Sequence, residues 1–171
     1  MTDDRILGSL RIADGEGVVR IEDRFDTTVD DVWSALTDPG RLEQWLGEFE
    51  GDLRVGGEFR AHFTATGWKG TGRVDACEPP RHLLLTLRDA EPEPGQPEEG
   101  ATEVTLTADG VGTIVVWEER GMPVNLIAAY GAGVQIHVED LGAHLAGRER
   151  VHSGRFEELF PAYQALPVDA D

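Results

Sequence analysis

The chain has 171 residues, a size typical of one folded domain that buries its own core. Its 33 acidic and 15 basic side chains give a net charge of -18, which disfavours nucleic acid and anionic membranes as partners. A single cysteine excludes an intrachain disulfide and favours a reducing compartment. Because no signal-peptide core and no apolar run of membrane-spanning length occurs, the expected location is the cytoplasm.

The first part of the chain predicts one strand followed by two short helices. Residues 1–16 mix charges with glycines and are expected to form a loosely ordered lead-in. The segment 17–27 alternates apolar and polar side chains, which is the pattern of a half-buried strand. Thr28 is suited to cap a first helix, and Asp38 with Pro39 is suited to end it and to start a second one.

A run of strands is expected after the second helix, separated by turn residues such as the Gly56-Gly57 and Pro79-Pro80 pairs. The predicted strands cover 49–55, 58–65, 69–78, 82–88, 102–108 and 112–119. The acidic, proline-rich stretch 89–100 cannot bury apolar surface and is expected to be a solvated loop. Together with the first strand, these segments predict a sheet of about seven strands.

A long helix is predicted near the C-terminus, because the apolar period changes from two to about 3.6 after Met122. The helix would extend over roughly 20 residues to Gly147. Its apolar stripe contains Ile127, Tyr130, Val134, Val138, Leu141 and Leu145. Beyond it, Ser153 is suited to cap a last short helix that ends before Pro161.

This order of elements becomes specific through the segment VWSALTDPGRLEQWLG at 32–47. Together with GDLRVGGEFRA at 51–61, GRVDACEPPRHL at 72–83 and LGAHLAG at 141–147, it resembles the SRPBCC superfamily of START and Bet v 1-like proteins. Within that superfamily, the sequence is similar to the group named after the activator of the heat-shock-90 ATPase. The resemblance implies an α+β helix-grip fold, in which a curved antiparallel sheet wraps around a long C-terminal helix.

The resemblance also organises the chain and suggests what it does. It implies a lead-in at 1–16, a helix-grip domain at 17–147 and a C-terminal extension with a short helix at 148–171. In such proteins a cavity between the long helix and the sheet receives hydrophobic small molecules, and in a minority it supports cyclase-like or hydrolase-like chemistry. The full eukaryotic activator carries a separate chaperone-binding domain, for which 171 residues leave no room. Co-chaperone activity is therefore not expected.

The candidate site consists of residues that would line this cavity, mostly aromatic side chains that combine a large apolar area with a polar handle. For each aromatic residue, plain core packing is an equal alternative. His137, at the edge of the helix stripe, is the one histidine placed near the cavity, with a structural role as the alternative. The expected lining residues are Trp45, Phe59, Phe63, Trp68, Leu85, Val115, Trp117, Tyr130, Val134 and His137.

Other ionisable residues give weaker signals. Glu118 and Glu119, at the end of the last long strand, could supply a carboxylate at the cavity mouth, although a solvated position is favoured. His137 and His144 lie seven residues apart, about 10 Å along a helix, which is too far to share a zinc ion. Asp140 and His144 have i,i+4 spacing and are expected to form a solvated pair on the helix surface. No metal site is predicted.

Three functions remain open from the sequence. The common catalytic and nucleotide-binding motifs are absent, and no cofactor is expected. The favoured function is binding or carriage of a small hydrophobic or amphipathic ligand in the cavity. The alternatives are a cyclase- or hydrolase-like enzyme that uses a pocket His or Glu, and a protein-interaction module related to the heat-shock ATPase activators. A homodimer is left open, because no residue pattern decides the oligomeric state.

Overall fold

The chain begins with a hairpin, continues through two short helices and a run of strands, and then returns to helix. The computed structural model describes residues 6–92, 94, 96–151 and 154–170. Along these residues the elements are β1 (Gly8–Ala13), β2 (Glu16–Phe25), α1 (Val29–Thr37), α2 (Pro39–Trp45), β3 (Gly47–Gly51), β4 (Glu58–Phe63), β5 (Lys69–Glu78), β6 (His82–Asp89), β7 (Gly100–Asp109), β8 (Gly112–Met122), a 3-10 turn (Val124–Leu126), α3 (Ile127–Leu145), α4 (Arg155–Gln164) and β9 (Val168–Ala170).

The nine described strands form one sheet in the order β3-β4-β5-β6-β7-β8-β2-β1-β9. Neighbouring strands are antiparallel except β9, which lies parallel to β1, so the sheet is mixed. Register shifts between Gly17 and Val18 and between Val74 and Ala76 increase the local twist, which helps the sheet to curve around α3. The predicted helix-grip fold is confirmed, with nine strands instead of about seven.

The two additional strands lie at one edge of the sheet and come from the two ends of the chain. β1 and β2 are joined at Asp14-Gly15, where both residues have a positive φ, 54° and 80°. An Asp-Gly pair favours such a hairpin turn, so a strand signal was present within the expected lead-in. Leu10 anchors β1 in the core, whereas the residues of β9 are exposed. Residues 1–5 of that lead-in lie outside the described residues.

The two short helices begin where the sequence predicts, because their caps are satisfied by local side chains. The Thr28 hydroxyl accepts a hydrogen bond from the Asp31 backbone N–H at the start of α1. Asp38 does the same for Gly40 at the start of α2, with Pro39 in the first turn. The indole Nε1 of Trp45 donates to a backbone carbonyl of α1 and fixes one helix against the other.

The long helix α3 is buried over most of its surface, since the sheet covers one side and α4 covers another. Gly131 allows α4 to approach closely, because a Cβ at this position would lie 2.6 Å from Cδ1 of Tyr163. The Tyr163 hydroxyl donates a hydrogen bond to Oε1 of Gln135, which also accepts one from the backbone N–H of Leu7. The N-terminal residues, α3 and α4 are thereby held together.

The last helix does not end before Pro161, as the sequence predicted, but continues to Gln164. The carbonyl of Pro161 accepts a hydrogen bond from Ala165, so the helix is continued on the C-terminal side of the proline. Arg155 fastens α4 to α3 through two hydrogen bonds to the Glu139 carboxylate, at 2.8 and 2.7 Å. The predicted cap, Ser153, lies outside the described residues.

Candidate ligand-binding cavity

A cavity of about 820 Å³ lies between α3 and the concave face of the sheet. Its walls come from β4, β6, β7, β8 and one side of α3, and α4 contributes near the opening. Exposed residues of the loops that follow β4 and β6 form its mouth. The sheet wraps around α3, and one end of the space between them therefore remains open to solvent.

Three aromatic rings line this cavity and are called its aromatic wall, namely Phe63, Trp68 and Tyr130. The rings of Phe63 and Trp68 pack with their centroids 4.8 Å apart. Gly70 makes room for the indole, because a Cβ at this position would lie 2.5 Å from the Trp68 ring. Val134 on α3 adds an aliphatic surface opposite the sheet. The cavity thus offers flat apolar surfaces that suit an aromatic or aliphatic ligand.

A buried carboxyl group, that of Glu119, also lines the cavity. Alternate residues of β8 face the core, and Glu119 continues the row that contains Val115 and Trp117. Its Oε1 accepts hydrogen bonds from Nε1 of Trp117 at 3.3 Å and from the hydroxyl of Thr102 at 3.4 Å. Burial raises the pKa of Glu119 from 4.5 to about 7, and the two hydrogen bonds oppose this rise. Near neutral pH the group can therefore exchange a proton.

His137 is the second buried ionisable group of the cavity. Its ring meets Phe63 edge-on, with centroids 5.1 Å apart. Its Nδ1 is buried and has no hydrogen-bond partner among the residues that the structure describes. Burial lowers the pKa of His137 from 6.5 to about 4, so the imidazole is neutral at physiological pH. A neutral imidazole can accept a proton or a hydrogen bond from a ligand.

The chain matches one known protein family over most of its length. The family of Activator of Hsp90 ATPase homolog 1-like proteins matches residues 26–146. The chain belongs to this family. The matched region runs from the end of β2 to the end of α3 and so contains most of the cavity wall. No curated protein matches the chain.

Several solved structures resemble this member of the Activator of Hsp90 ATPase homolog 1-like family along most of its length. CalU16 from Micromonospora echinospora is 29% identical, with a TM-score of 0.74 over 93% of this chain and 94% of CalU16. DynU16, whose gene lies in the dynemicin biosynthetic locus, is 28% identical, with a TM-score of 0.69 over 80% of this chain and 50% of DynU16. MLL2253 from Mesorhizobium loti is 25% identical, with a TM-score of 0.67 over 76% of this chain and 97% of MLL2253.

The structure brings together half of the residues that the sequence predicted for the cavity. The five that line it are Phe63, Trp68, Tyr130, Val134 and His137. The other five, which are not part of its lining, are Trp45, Phe59, Leu85, Val115 and Trp117.

The five that miss the cavity pack elsewhere for identifiable reasons. Trp45 and Trp117 meet edge-on with centroids 6.4 Å apart and fill the interior beside α2. Phe59 packs against Phe49 of β3, with ring centroids 5.5 Å apart. Val115 is buried in the core, and Leu85 packs against the same cluster. The core-packing alternative therefore applies to the predicted aromatic residues away from the open end.

The favoured prediction, that Glu118 and Glu119 are both solvated, is wrong for Glu119, whose carboxylate lines the cavity as the alternative had it. Glu118 does face outward, where it accepts a hydrogen bond from Arg120. Glu119 points to the opposite face and is buried. The alternation that identified Val115 and Trp117 as inward-facing also applies two residues further along the strand, so the signal was present. Carboxylates usually lie in solvent, and this general tendency favoured the wrong prediction for Glu119.

The predicted solvated pair on α3 is also wrong. Asp140 is buried, and its Oδ1 accepts a hydrogen bond from the backbone N–H of Val151. Burial raises the pKa of Asp140. His144 instead accepts a hydrogen bond from the Arg41 guanidinium. Over the described part of the chain, no group of three or more His, Cys, Asp or Glu side chains could hold a metal ion, and no helix could span a membrane.

Proposed function

We propose that this protein binds or carries a small hydrophobic or amphipathic molecule in the cavity between α3 and the sheet. The observation that carries the proposal is the cavity of about 820 Å³ with an aromatic wall and two buried ionisable groups, Glu119 and His137, inside it. Sites for small molecules have volumes of about 300–1,000 Å³, mostly apolar walls and a few convergent polar groups. A cavity of this kind suits an occupant with an apolar body and one polar end.

The similarity to DynU16 supports a product or intermediate of small-molecule biosynthesis as the occupant. DynU16 belongs to a biosynthetic locus, and the similarity to it extends over 80% of this chain. The region matched by the family also contains the aromatic wall and His137. A small biosynthetic molecule with an apolar body would therefore agree both with the shape of the cavity and with the biosynthetic locus of DynU16.

The test combines native mass spectrometry with uptake of an environment-sensitive apolar dye. Val134→Trp places an indole in the empty volume, so we expect loss of dye uptake with little change in melting temperature. Val111→Trp adds the same ring at a position that is 84% exposed, and it should leave uptake unchanged. If Val134→Trp is destabilised by about 1–3 kcal/mol and dye uptake persists, that turn of α3 is packed solid and the proposal fails.

Enzymatic activity is a second candidate function, and Glu119 is the observation that favours it. A general acid or base works best when its pKa lies close to the working pH. Burial places the pKa of Glu119 at about 7, and the group lines the cavity in which a substrate would bind. An enzyme would convert the retained molecule and lose turnover in Glu119→Gln, whereas a carrier would release it unchanged.

A further inference from the structure

The buried carboxyl of Glu119 has hydrogen-bond donors on one oxygen only. Both Trp117 and Thr102 donate to Oε1, while Oε2 has no hydrogen-bond partner among the described residues. Within the same residues, no Lys, Arg or His forms an ion pair with this carboxylate. A buried carboxylate without a counter-charge is costly, so a positive charge brought by a ligand would be strongly stabilised there.

The mouth of the cavity carries the same sign of charge as its interior. Four carboxylates form this acidic rim, namely Asp89, Glu91, Glu98 and Glu157, and among the described lining residues Lys69 is the opposing cation. The chain as a whole has a net charge of -18. A cleft lined by one sign of charge concentrates ligands of the opposite sign and repels ligands of its own sign. An anionic occupant, such as a fatty acid, is therefore disfavoured at every depth of the cavity.

The aromatic wall suits a cation as well as an apolar body. The faces of Trp and Tyr rings attract ammonium groups that lie within about 6 Å of the ring centroid. Trp68 and Tyr130 both line the cavity that Glu119 enters. His137 is neutral, because burial lowers its pKa to about 4, so it does not oppose a positive ligand at physiological pH.

We propose that the natural occupant is an organic cation, namely an aromatic or aliphatic molecule with a protonated amine or quaternary ammonium group that pairs with Glu119. This inference rests on the proposed binding function and adds the charge of the ligand. A neutral carbonyl ligand could accept a hydrogen bond from protonated Glu119, but it would gain nothing from the acidic rim. The acidic rim and the lone buried carboxylate together favour the cation.

The test uses two probes of the same shape, a naphthylmethyl trimethylammonium ion and the neutral hydrocarbon in which carbon replaces the nitrogen. Isothermal titration calorimetry at about pH 8 should give at least about tenfold tighter binding of the cation, which corresponds to 1.4 kcal/mol. Glu119→Gln should remove most of this preference and leave only the smaller part that the acidic rim and the aromatic rings contribute. Glu118→Gln removes the same charge from the opposite face of β8 and should retain the preference.

The pH dependence gives an independent readout, because the charge of the quaternary probe does not change. With the pKa of Glu119 at about 7, the ionised fraction falls about thirtyfold between about pH 8 and about pH 5.5. Binding of the cation should weaken by up to that factor, and Glu119→Gln should remove most of the change. The other ionisable side chains that line the cavity are the acidic rim, Lys69, Tyr130 and His137, and all of them are retained in the variant, so any residual dependence on pH belongs to them.

The outcomes separate this inference from the proposed function. Equal or tighter binding of the neutral probe, or cation binding that strengthens as the pH falls, would overturn the organic cation while leaving the binding function intact. If neither probe binds the folded protein, both proposals fail. A preference for the cation that is undiminished in Glu119→Gln would assign the effect to the acidic rim and the aromatic rings and would overturn the pairing with Glu119.

Discussion

Replacing Glu119 by glutamine should change how the stability of the folded protein depends on pH. The glutamine has nearly the same shape, and its carbonyl oxygen can still accept the hydrogen bonds of Trp117 and Thr102. The substitution removes the ionisation of a carboxyl group on a residue that is only 9% exposed. The difference between the two proteins therefore isolates the cost of that buried charge.

The magnitude follows from the change in pKa on folding. The pKa of Glu119 is raised by burial from 4.5 to about 7, and each pKa unit corresponds to about 1.4 kcal/mol, so ionisation costs the folded state roughly 3 kcal/mol. Because the folded pKa is the higher one, the stabilising contribution is complete below about pH 4.5 and is lost as the pH rises to about 7. Glu119→Gln should thus gain roughly 2–3 kcal/mol relative to the unsubstituted protein between about pH 5 and about pH 8.5.

Urea denaturation at these two pH values measures the effect. Glu118→Gln is the matched control, since the side chain that it replaces is half-buried and paired with Arg120, and an ion pair of this kind is worth about 0–1 kcal/mol. If the free energies of unfolding of Glu119→Gln and the unsubstituted protein run parallel from about pH 5 to about pH 8.5, Glu119 is solvated in the folded state. The burial of the Glu119 carboxyl group in the cavity wall would then be refuted.

Three other substitutions test the remaining parts of the structure. Burial lowers the pKa of His137 to about 4, so the unsubstituted protein loses stability as the pH falls from about 6.5 to about 4. His137→Leu should lose roughly 2–3 kcal/mol less over this range in the same urea assay. An identical loss of stability in the two proteins would contradict the burial of His137. Leu141→Ala should cost about 2–5 kcal/mol, since Leu141 is fully buried in the core. Leu145→Ala, on the half-buried last turn of α3, should cost less, and equal costs would contradict the packing of α3. Arg155→Ala should cost up to about 3 kcal/mol, because the partly buried Glu139 carboxylate loses its cationic partner and keeps the hydrogen bond from Gln135. Arg155→Met combined with Glu139→Gln should recover much of that loss, and full stability in Arg155→Ala would show that α4 is not held by this pair.

The local sequence was enough to predict the family, the seven central strands and both short helices. Thr28, Asp38 and Pro39 act through hydrogen bonds and backbone geometry within a few residues, so their effect does not depend on the rest of the fold. The alternation of apolar residues in β2 and β8 likewise reflects a period of two that any half-buried strand imposes. These features are local, and a local pattern predicted them.

Only the tertiary structure decided which inward-facing residues line a cavity and which fill a core. Periodicity indicates the face on which Trp117 and Glu119 lie, but whether space remains in front of that face depends on residues far away in the chain. Trp45 closes the interior next to Trp117, whereas the described residues leave the cavity open in front of Glu119. The large pKa change of Glu119 has the same origin, because it arises from the loss of water when α3 and the sheet enclose the carboxyl group.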